Sequence, residues 1–148
     1  NGELLNKDSI KVIDSLKFKT PKGRVVYGGG GIIPDIFVAI DTTSYISTFY
    51  FNTINNFAFD YVDNNRKSLE KWTINSFISD FDKDGAVFNS YLTNIEDRTK
   101  PSLKTKQDLN KYLKASIANT LFGNDGYYRM IHQQDKILQK VLELELSN

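Results

Sequence analysis

Residues 105–123 read TKQDLNKYLKASIANTLFG and carry a clear helical pattern. Their apolar residues recur every three or four positions, which predicts a helix from about Lys106 to Phe122 with one buried face. Thr105 and Asp108 are spaced as in a capping box, and Gly123 is placed to end the helix. The predicted buried face consists of Leu109, Tyr112, Leu113, Ile117 and Leu121.

Three further helices are predicted around this one. Two precede it, because apolar residues recur at helical spacing over residues 54–62 and 87–95. A fourth is set by the apolar residues between Ile137 and Leu142, with Asp135 at its positive N-terminal end. We expect this helix to close the domain, after a turn at Asn124-Asp125-Gly126.

The first part of the chain shows the two-residue period of β-strands instead. Leu16 and Phe18 alternate with lysines, which predicts a strand with one buried face. Residues 20–23 read Thr-Pro-Lys-Gly, a turn sequence, and Val25-Val26-Tyr27 follows as a second strand. A hairpin is therefore expected, with another regular strand from about Ile36 to Ile40.

The change of period near Thr43 predicts an α+β protein in two parts. Residues 1–43 should form a short antiparallel strand and hairpin segment, and residues 44–148 a mostly α-helical domain. The chain begins at Asn1 rather than at a methionine, so we expect it to be a fragment of a longer protein.

Composition indicates a folded protein without a strong charge preference. The chain is 40% hydrophobic and has a formal net charge of +1, with no basic run interleaved with aromatics, so nucleic acid is not an expected partner. It contains no cysteine, which excludes disulfides and thiolate metal sites. No apolar stretch approaches the roughly 20 residues of a membrane span.

The glycine run at residues 28–31 resembles a phosphate-binding loop only in composition. A phosphate loop opens onto a helix N-terminus, whereas this run is followed by Ile32-Ile33-Pro34. We therefore expect close backbone approach within a sheet rather than nucleotide binding.

A second motif, DFDKDG at residues 80–85, matches the first half of a calcium loop. The twelfth position of such a loop supplies a glutamate and is Tyr91 here. These aspartates are therefore expected to cap the helix that follows.

No residue of this chain is predicted to be catalytic, to bind a cofactor or to bind a metal. His132 is the only histidine, and we interpret it as a bystander near a helix start because no serine lies in a nucleophile-elbow sequence. The aromatic residues Phe57, Tyr61, Phe88 and Tyr91 lie at helical spacing and are expected to form core.

The stretch from Asp14 to Val38 resembles the closing strands of the peptidase domain in C-terminal processing (tail-specific) serine peptidases. It joins a threonine-proline turn, a glycine-rich break and a Gly-Ile-x-Pro-Asp segment at residues 31–35 in one order. Residues 41–144 resemble the helical tail of bacterial members. The best-matching blocks there are residues 57–61, 65–66 and 121–128.

The resemblance implies that this chain is the C-terminal, non-catalytic portion of such an enzyme. The family pairs a serine nucleophile with a lysine base, and both motifs are absent here, so the resemblance places them upstream. It also implies a location in the cell envelope, in the periplasm, and a protein or peptide substrate for the parent enzyme.

Two kinds of partner are expected on this interpretation. The strands should complete the sheet of the rest of the peptidase domain. In the isolated chain, the strands within residues 15–40 should pair between copies as a homo-oligomer or fold onto the helices, because they leave unpaired backbone groups. The alternative is a stand-alone helical protein-interaction module.

Overall fold

The computed structural model describes residues 16–28, 36–39, 46–95 and 100–147, and the elements below lie within those ranges. A two-stranded hairpin precedes five helices, which confirms the predicted α+β, mostly helical fold. The chain divides into two compact units, residues 1–42 and 43–148. The elements are β1 (Lys17–Lys19), β2 (Val25–Tyr27), α1 (Thr48–Leu69), α2 (Ile74–Asp80), α3 (Ala86–Ile95), α4 (Leu103–His132) and α5 (Lys136–Leu146).

The hairpin forms where the turn sequence predicts it. The strands are antiparallel, and Phe18 lies directly opposite Val26. The backbone N–H of Gly23 donates to the Thr20 carbonyl over 2.8 Å, and Gly23 has a φ of +80°. Glycine fits this position because other residues rarely adopt positive φ.

Two predictions about the strand segment are wrong within the described residues. The side of β1 that carries Phe18 is not buried, since Phe18 is 58% exposed. Residues 36–39 do not form a strand, because no hydrogen-bonded ladder joins them to the hairpin. Gly29–Gly31, Ile40 and the predicted boundary at Thr43 lie outside the described residues.

The core of the second unit is built mainly by α1 and α4. The buried side chains of α1 include Ile54, Ala58 and Val62, which are four residues apart and so share one face. The α4 face predicted from the sequence supplies Leu109, Leu113 and Ile117, all at most 1% exposed. Helical spacing thus identified both main contributors to the core.

Helix α2 was not predicted, and it holds an aromatic cluster. Its N-cap is Thr73, whose hydroxyl exchanges hydrogen bonds with the backbone and side chain of Ser76. Phe77 is buried and stacks on Phe81 with ring centroids 4.1 Å apart, while Trp72 meets both rings edge to face. This cluster fixes the chain between α1 and α3.

Helix α4 begins before the predicted Lys106, and its first segment ends at Gly123, as the sequence predicts. Its N-cap is Ser102, whose hydroxyl accepts the Thr105 N–H, so the predicted capping box at Thr105 is wrong. Gly123 interrupts the helix with a φ of +69°, but the chain returns to helix and continues to His132. The predicted turn at residues 124–126 is therefore helical instead.

Gly126 explains why the chain can resume the helix after this break. A Cβ on Gly126 would lie 2.6 Å from the Ala118 carbonyl oxygen and 2.9 Å from the Phe122 Cβ. Because real Cβ atoms do not approach so closely, glycine is required for the two segments of α4 to pack at this angle.

Helix α5 forms as predicted but does not close the core. The Asp135 carboxylate accepts the N–H groups of Ile137 and Leu138 and caps the helix. None of its residues is buried, and Leu142 is 54% exposed. Across the described part of the chain, no helix is both long and apolar enough to cross a bilayer.

Candidate functional site

The acidic motif at residues 80–85 is a helix cap, as the sequence predicts. The two carboxylate oxygens of Asp82 accept the N–H groups of Val87 and Phe88, at 2.8 and 3.1 Å. Asp84 accepts the N–H of Ala86. These bonds satisfy orphan donors in the first turn of α3 and place negative charge at its positive end.

The same loop is held to α4 by a lysine. The Lys114 ammonium donates to the carbonyl oxygens of Phe81 and Asp82, each over 3.1 Å. Asp80 is engaged by Lys83 at 2.6 Å, and this contact lowers the pKa of the Asp80 carboxyl. In the described ranges, no group of three or more His, Cys, Asp or Glu side chains is arranged to hold a metal ion.

The other sequence motifs do not converge on a site either. Gly28 packs against Phe18, since a Cβ there would lie 3.1 Å from that ring. His132 ends α4 and lies three residues before Asp135, the N-cap of α5, so it is near a helix start as predicted. Its ring lies 5.8 Å from that of Tyr128. The expectation that the chain has no catalytic, cofactor-binding or metal-binding residue stays a prediction.

Three of the four aromatic residues that were predicted to form core line a cleft. Tyr91 is fully buried, whereas Phe57, Tyr61 and Phe88 are half-buried against the core. Phe57 and Tyr61 are nearly parallel, with centroids 6.2 Å apart, and Tyr91 meets Phe57 edge to face. These three rings lie at a cleft of about 400 Å³ between α1 and α3.

Polar side chains form the walls of this cleft, which we call the α1–α3 cleft. Asn56, Asp60 and Asn64 line it from α1 at intervals of four residues. Ser90 and Asn94 line it from α3, again four residues apart. Its remaining lining residues are Thr53, Asn65 and Ile95.

Sequence reasoning missed this site although its signal was present. The apolar period of α1 draws attention to Ile54, Ala58 and Val62, whereas the polar period beside it looks like an ordinary solvated face. The available clue was the row of two amides and a carboxylate, Asn56, Asp60 and Asn64, at that spacing. It becomes informative only when α3 is seen to supply a second polar row.

The two tyrosine hydroxyls of the cleft are held in the neutral form. Burial raises the pKa of Tyr61, and the nearby carboxylates of Asp82 and Asp84 raise it further. Burial also raises the pKa of Tyr91, although its hydrogen bond with Thr53 opposes the shift. Both hydroxyls therefore stay protonated near neutral pH.

A kink in α1 lies among the residues that line the cleft. Asn65 leaves helical geometry with a φ of −119°, and its side-chain amide donates to the Tyr61 carbonyl over 2.8 Å. The hydroxyl of Ser68 donates to the Asn65 carbonyl. These two bonds link Asn65 to the helical turns on either side of the kink and stabilise the helix there.

Residues 45–123, just over half of the chain, match the model of a family of unknown function (DUF8443). The chain belongs to the DUF8443 family. No curated protein and no solved structure matches it.

The DUF8443 match coincides with recognisable features of the helical unit. It runs through α1, α2 and α3 and stops at Gly123, where α4 is interrupted. The α1–α3 cleft lies entirely within the DUF8443 region, whereas the hairpin and α5 lie outside it.

Proposed function

We propose that this chain is the C-terminal, non-catalytic portion of a bacterial tail-specific serine-type endopeptidase. The serine and lysine of the dyad belong to the preceding part of the parent protein. The segment over residues 1–43 completes the peptidase sheet, and residues 44–148 act as a helical accessory domain. The parent works in the cell envelope, in the periplasm, on a protein or peptide substrate.

The observation that carries this proposal is the exposed apolar pair on the hairpin. Phe18 and Val26 oppose each other across the strands, so their side chains share one face of the hairpin. Phe18 is 58% exposed and Val26 is 38% exposed. A two-stranded hairpin alone is only marginally stable in water. The exposed apolar face therefore favours packing of the hairpin against further parts of a sheet.

The helical unit supports an accessory role because it carries its own core. Its buried apolar residues come from α1 to α4 and their connections, and they form one cluster. A unit with its own core can attach to an enzyme without supplying catalytic groups.

A stand-alone helical protein-interaction module is the second candidate. The DUF8443 match favours it, because the matched residues comprise helices without the hairpin. The exposed apolar side chains of α5, including Ile137, Val141 and Leu142, add a surface on which a partner helix could pack.

Substitutions on the hairpin of the full-length parent protein distinguish the two candidates. Phe18→Ser combined with Val26→Ser should reduce hydrolysis of a peptide substrate at least tenfold, because the closing strands would lose their docking face. Lys22→Ser, in the exposed turn, is the matched control and should retain activity. Full activity in the double variant would argue against a role for the hairpin in the peptidase sheet.

A further inference from the structure

The polar side chains that α1 contributes to the α1–α3 cleft are spaced like the backbone groups of an extended polypeptide. Asn56, Asp60 and Asn64 are four residues apart on α1, which is about 6 Å per step at 1.5 Å per residue. An extended chain rises about 3.3 Å per residue, so its backbone groups repeat every 6.6 Å or so on one side. Over three side chains, the helix spacing and the peptide spacing differ by an amount that a flexible side-chain amide can span.

The cleft also has the hydrogen-bonding chemistry of such a partner. Each asparagine side chain offers both N–H donors and a carbonyl acceptor, as a peptide backbone does. Within the described part of the chain, no side-chain hydrogen bond is formed by Asn56 or Asn64, and both residues are exposed. Asn94 adds an amide from the facing helix: its side-chain nitrogen donates to the Ser90 carbonyl over 3.1 Å, which leaves its second N–H and its carbonyl oxygen for a ligand.

The rings of Phe57 and Tyr61, which we call the aromatic floor of the cleft, suit the side chains that alternate with those backbone groups. In an extended peptide, every second side chain points toward the same surface. Phe57 and Tyr61 present a half-buried apolar surface beneath the two polar walls. A peptide could therefore bond to the walls through its backbone while every second side chain packs on the rings.

Charge narrows the class of peptide. Among the described residues that line the cleft, Asp60 has the only ionisable carboxyl group, and no lysine or arginine faces it there. A carboxylate accepts hydrogen bonds from a peptide N–H or from a basic side chain and repels an acidic one. The cleft volume of about 400 Å³ is in the range of ordinary ligand sites.

We propose that the α1–α3 cleft binds an extended peptide segment that is neutral or basic. Asn56 and Asn64 of α1 and Asn94 of α3 bond to its backbone. Asp60 accepts from an N–H or a basic side chain, and the aromatic floor receives alternate apolar side chains. This binding needs no catalytic group, so it does not depend on whether the parent protein is a peptidase. An oligosaccharide would use similar amides but would not follow the two-residue peptide repeat.

Selection from a random heptapeptide library on the intact 148-residue chain provides the first test. Enriched peptides should be poor in Asp and Glu. In NMR spectra, the enriched peptide should shift the side-chain amide signals of Asn56, Asn64 and Asn94. N-methylation of alternate backbone amides should abolish binding in one register and leave it nearly intact in the other.

Matched variants locate the binding to the cleft. Asn56→Ala combined with Asn64→Ala should weaken binding of the enriched peptide at least tenfold. Asn119→Ala, an exposed asparagine of α4 outside the cleft, should leave affinity unchanged. Circular dichroism spectra and melting curves of each variant show whether it remains folded.

Several results would overturn the proposal. They are a selection that enriches no peptide, an enriched peptide whose affinity survives both asparagine substitutions, and binding that is indifferent to N-methylation. Binding of a chitin or glucan oligosaccharide at these asparagines, with no peptide bound, would replace the peptide with a sugar as occupant. Peptide binding by a chain whose parent lacks peptidase activity would leave the inference standing while the proposed function failed.

Discussion

The hydroxyl oxygens of Thr53 and Tyr91 lie 3.0 Å apart and join α1 to α3 inside the α1–α3 cleft. Thr53 donates its proton to the Tyr50 carbonyl, also over 3.0 Å, so Tyr91 is the donor to Thr53. Tyr91 is fully buried. This bond therefore satisfies a polar group that has left water completely.

Replacing the acceptor should cost more than replacing the donor. Thr53→Val leaves the buried Tyr91 hydroxyl without this partner and should lower the free energy of unfolding by about 1–3 kcal/mol. Tyr91→Phe removes the hydroxyl itself and should cost only about 0.5–1.5 kcal/mol. Urea unfolding followed by circular dichroism measures both, and the double variant should be no less stable than Thr53→Val alone. Additive losses would show that the two hydroxyls are not coupled.

The Asp82 cap makes a second prediction about stability. Asp82→Ala should lower the free energy of unfolding by about 1–2 kcal/mol, because two N–H groups at the start of α3 lose their acceptor. Asp82→Asn should cost less, since asparagine keeps one oxygen and tolerates the φ of +51° at this position. Asp63→Ala is the control and should change stability by less than about 0.5 kcal/mol, because Asp63 is in an exposed ion pair.

Calcium gives an independent check on the same loop. Because the carboxylates of Asp82 and Asp84 already accept backbone N–H groups, added calcium should leave the melting temperature unchanged. A calcium-dependent rise in melting temperature would show that the loop binds the ion rather than capping α3.

Alkaline pH should destabilise the helical unit through Tyr61. Its pKa in the folded protein is raised above the ordinary value of 10.0, so the folded state holds the proton more tightly than the unfolded chain. The resulting stabilisation is complete below about pH 10 and is lost as the pH rises through the folded-state pKa. In melting curves from pH 8 to 11, Tyr61→Phe should lose less stability than the wild type above pH 10. Parallel curves for the two proteins would contradict this source of pH dependence.

The isolated chain should associate through its hairpin. We expect strands within residues 15–40 to pair between copies, because the apolar pair of Phe18 and Val26 is exposed. Sedimentation velocity over a range of concentrations should show oligomers, and Phe18→Ser with Val26→Ser should shift the chain to monomer. Lys22→Ser should not. A wild-type chain that stays monomeric at all concentrations would exclude this mode of association.

Long helices whose apolar residues recur regularly could be predicted from the sequence, and short or interrupted helices could not. The buried faces of α1 and α4 follow from residues such as Ala58 and Ile117, whose spacing repeats over many turns. Helix α2 has only seven residues, and its capping box uses Ser76 where the usual pattern has Glu or Gln. The sequence around it therefore gave too little periodic signal.

The errors at the ends of elements and at the cleft have tertiary causes. Gly126 looks like a turn residue, but it serves close packing against Ala118. The apolar residues of α5 look like a core face, but the apolar periodicity of a helix does not show what the helix packs against. The α1–α3 cleft needs two helices in register, so it emerges only from their packing.

The non-catalytic role proposed for this chain can be tested by hydrolysis of a peptide with a defined C-terminus, measured side by side for the full-length parent protein and for this 148-residue chain. We expect cleavage by the parent protein and none by the chain. Cleavage by the chain alone, or a parent protein that cleaves nothing and has no serine–lysine pair ahead of the hairpin, would contradict this role.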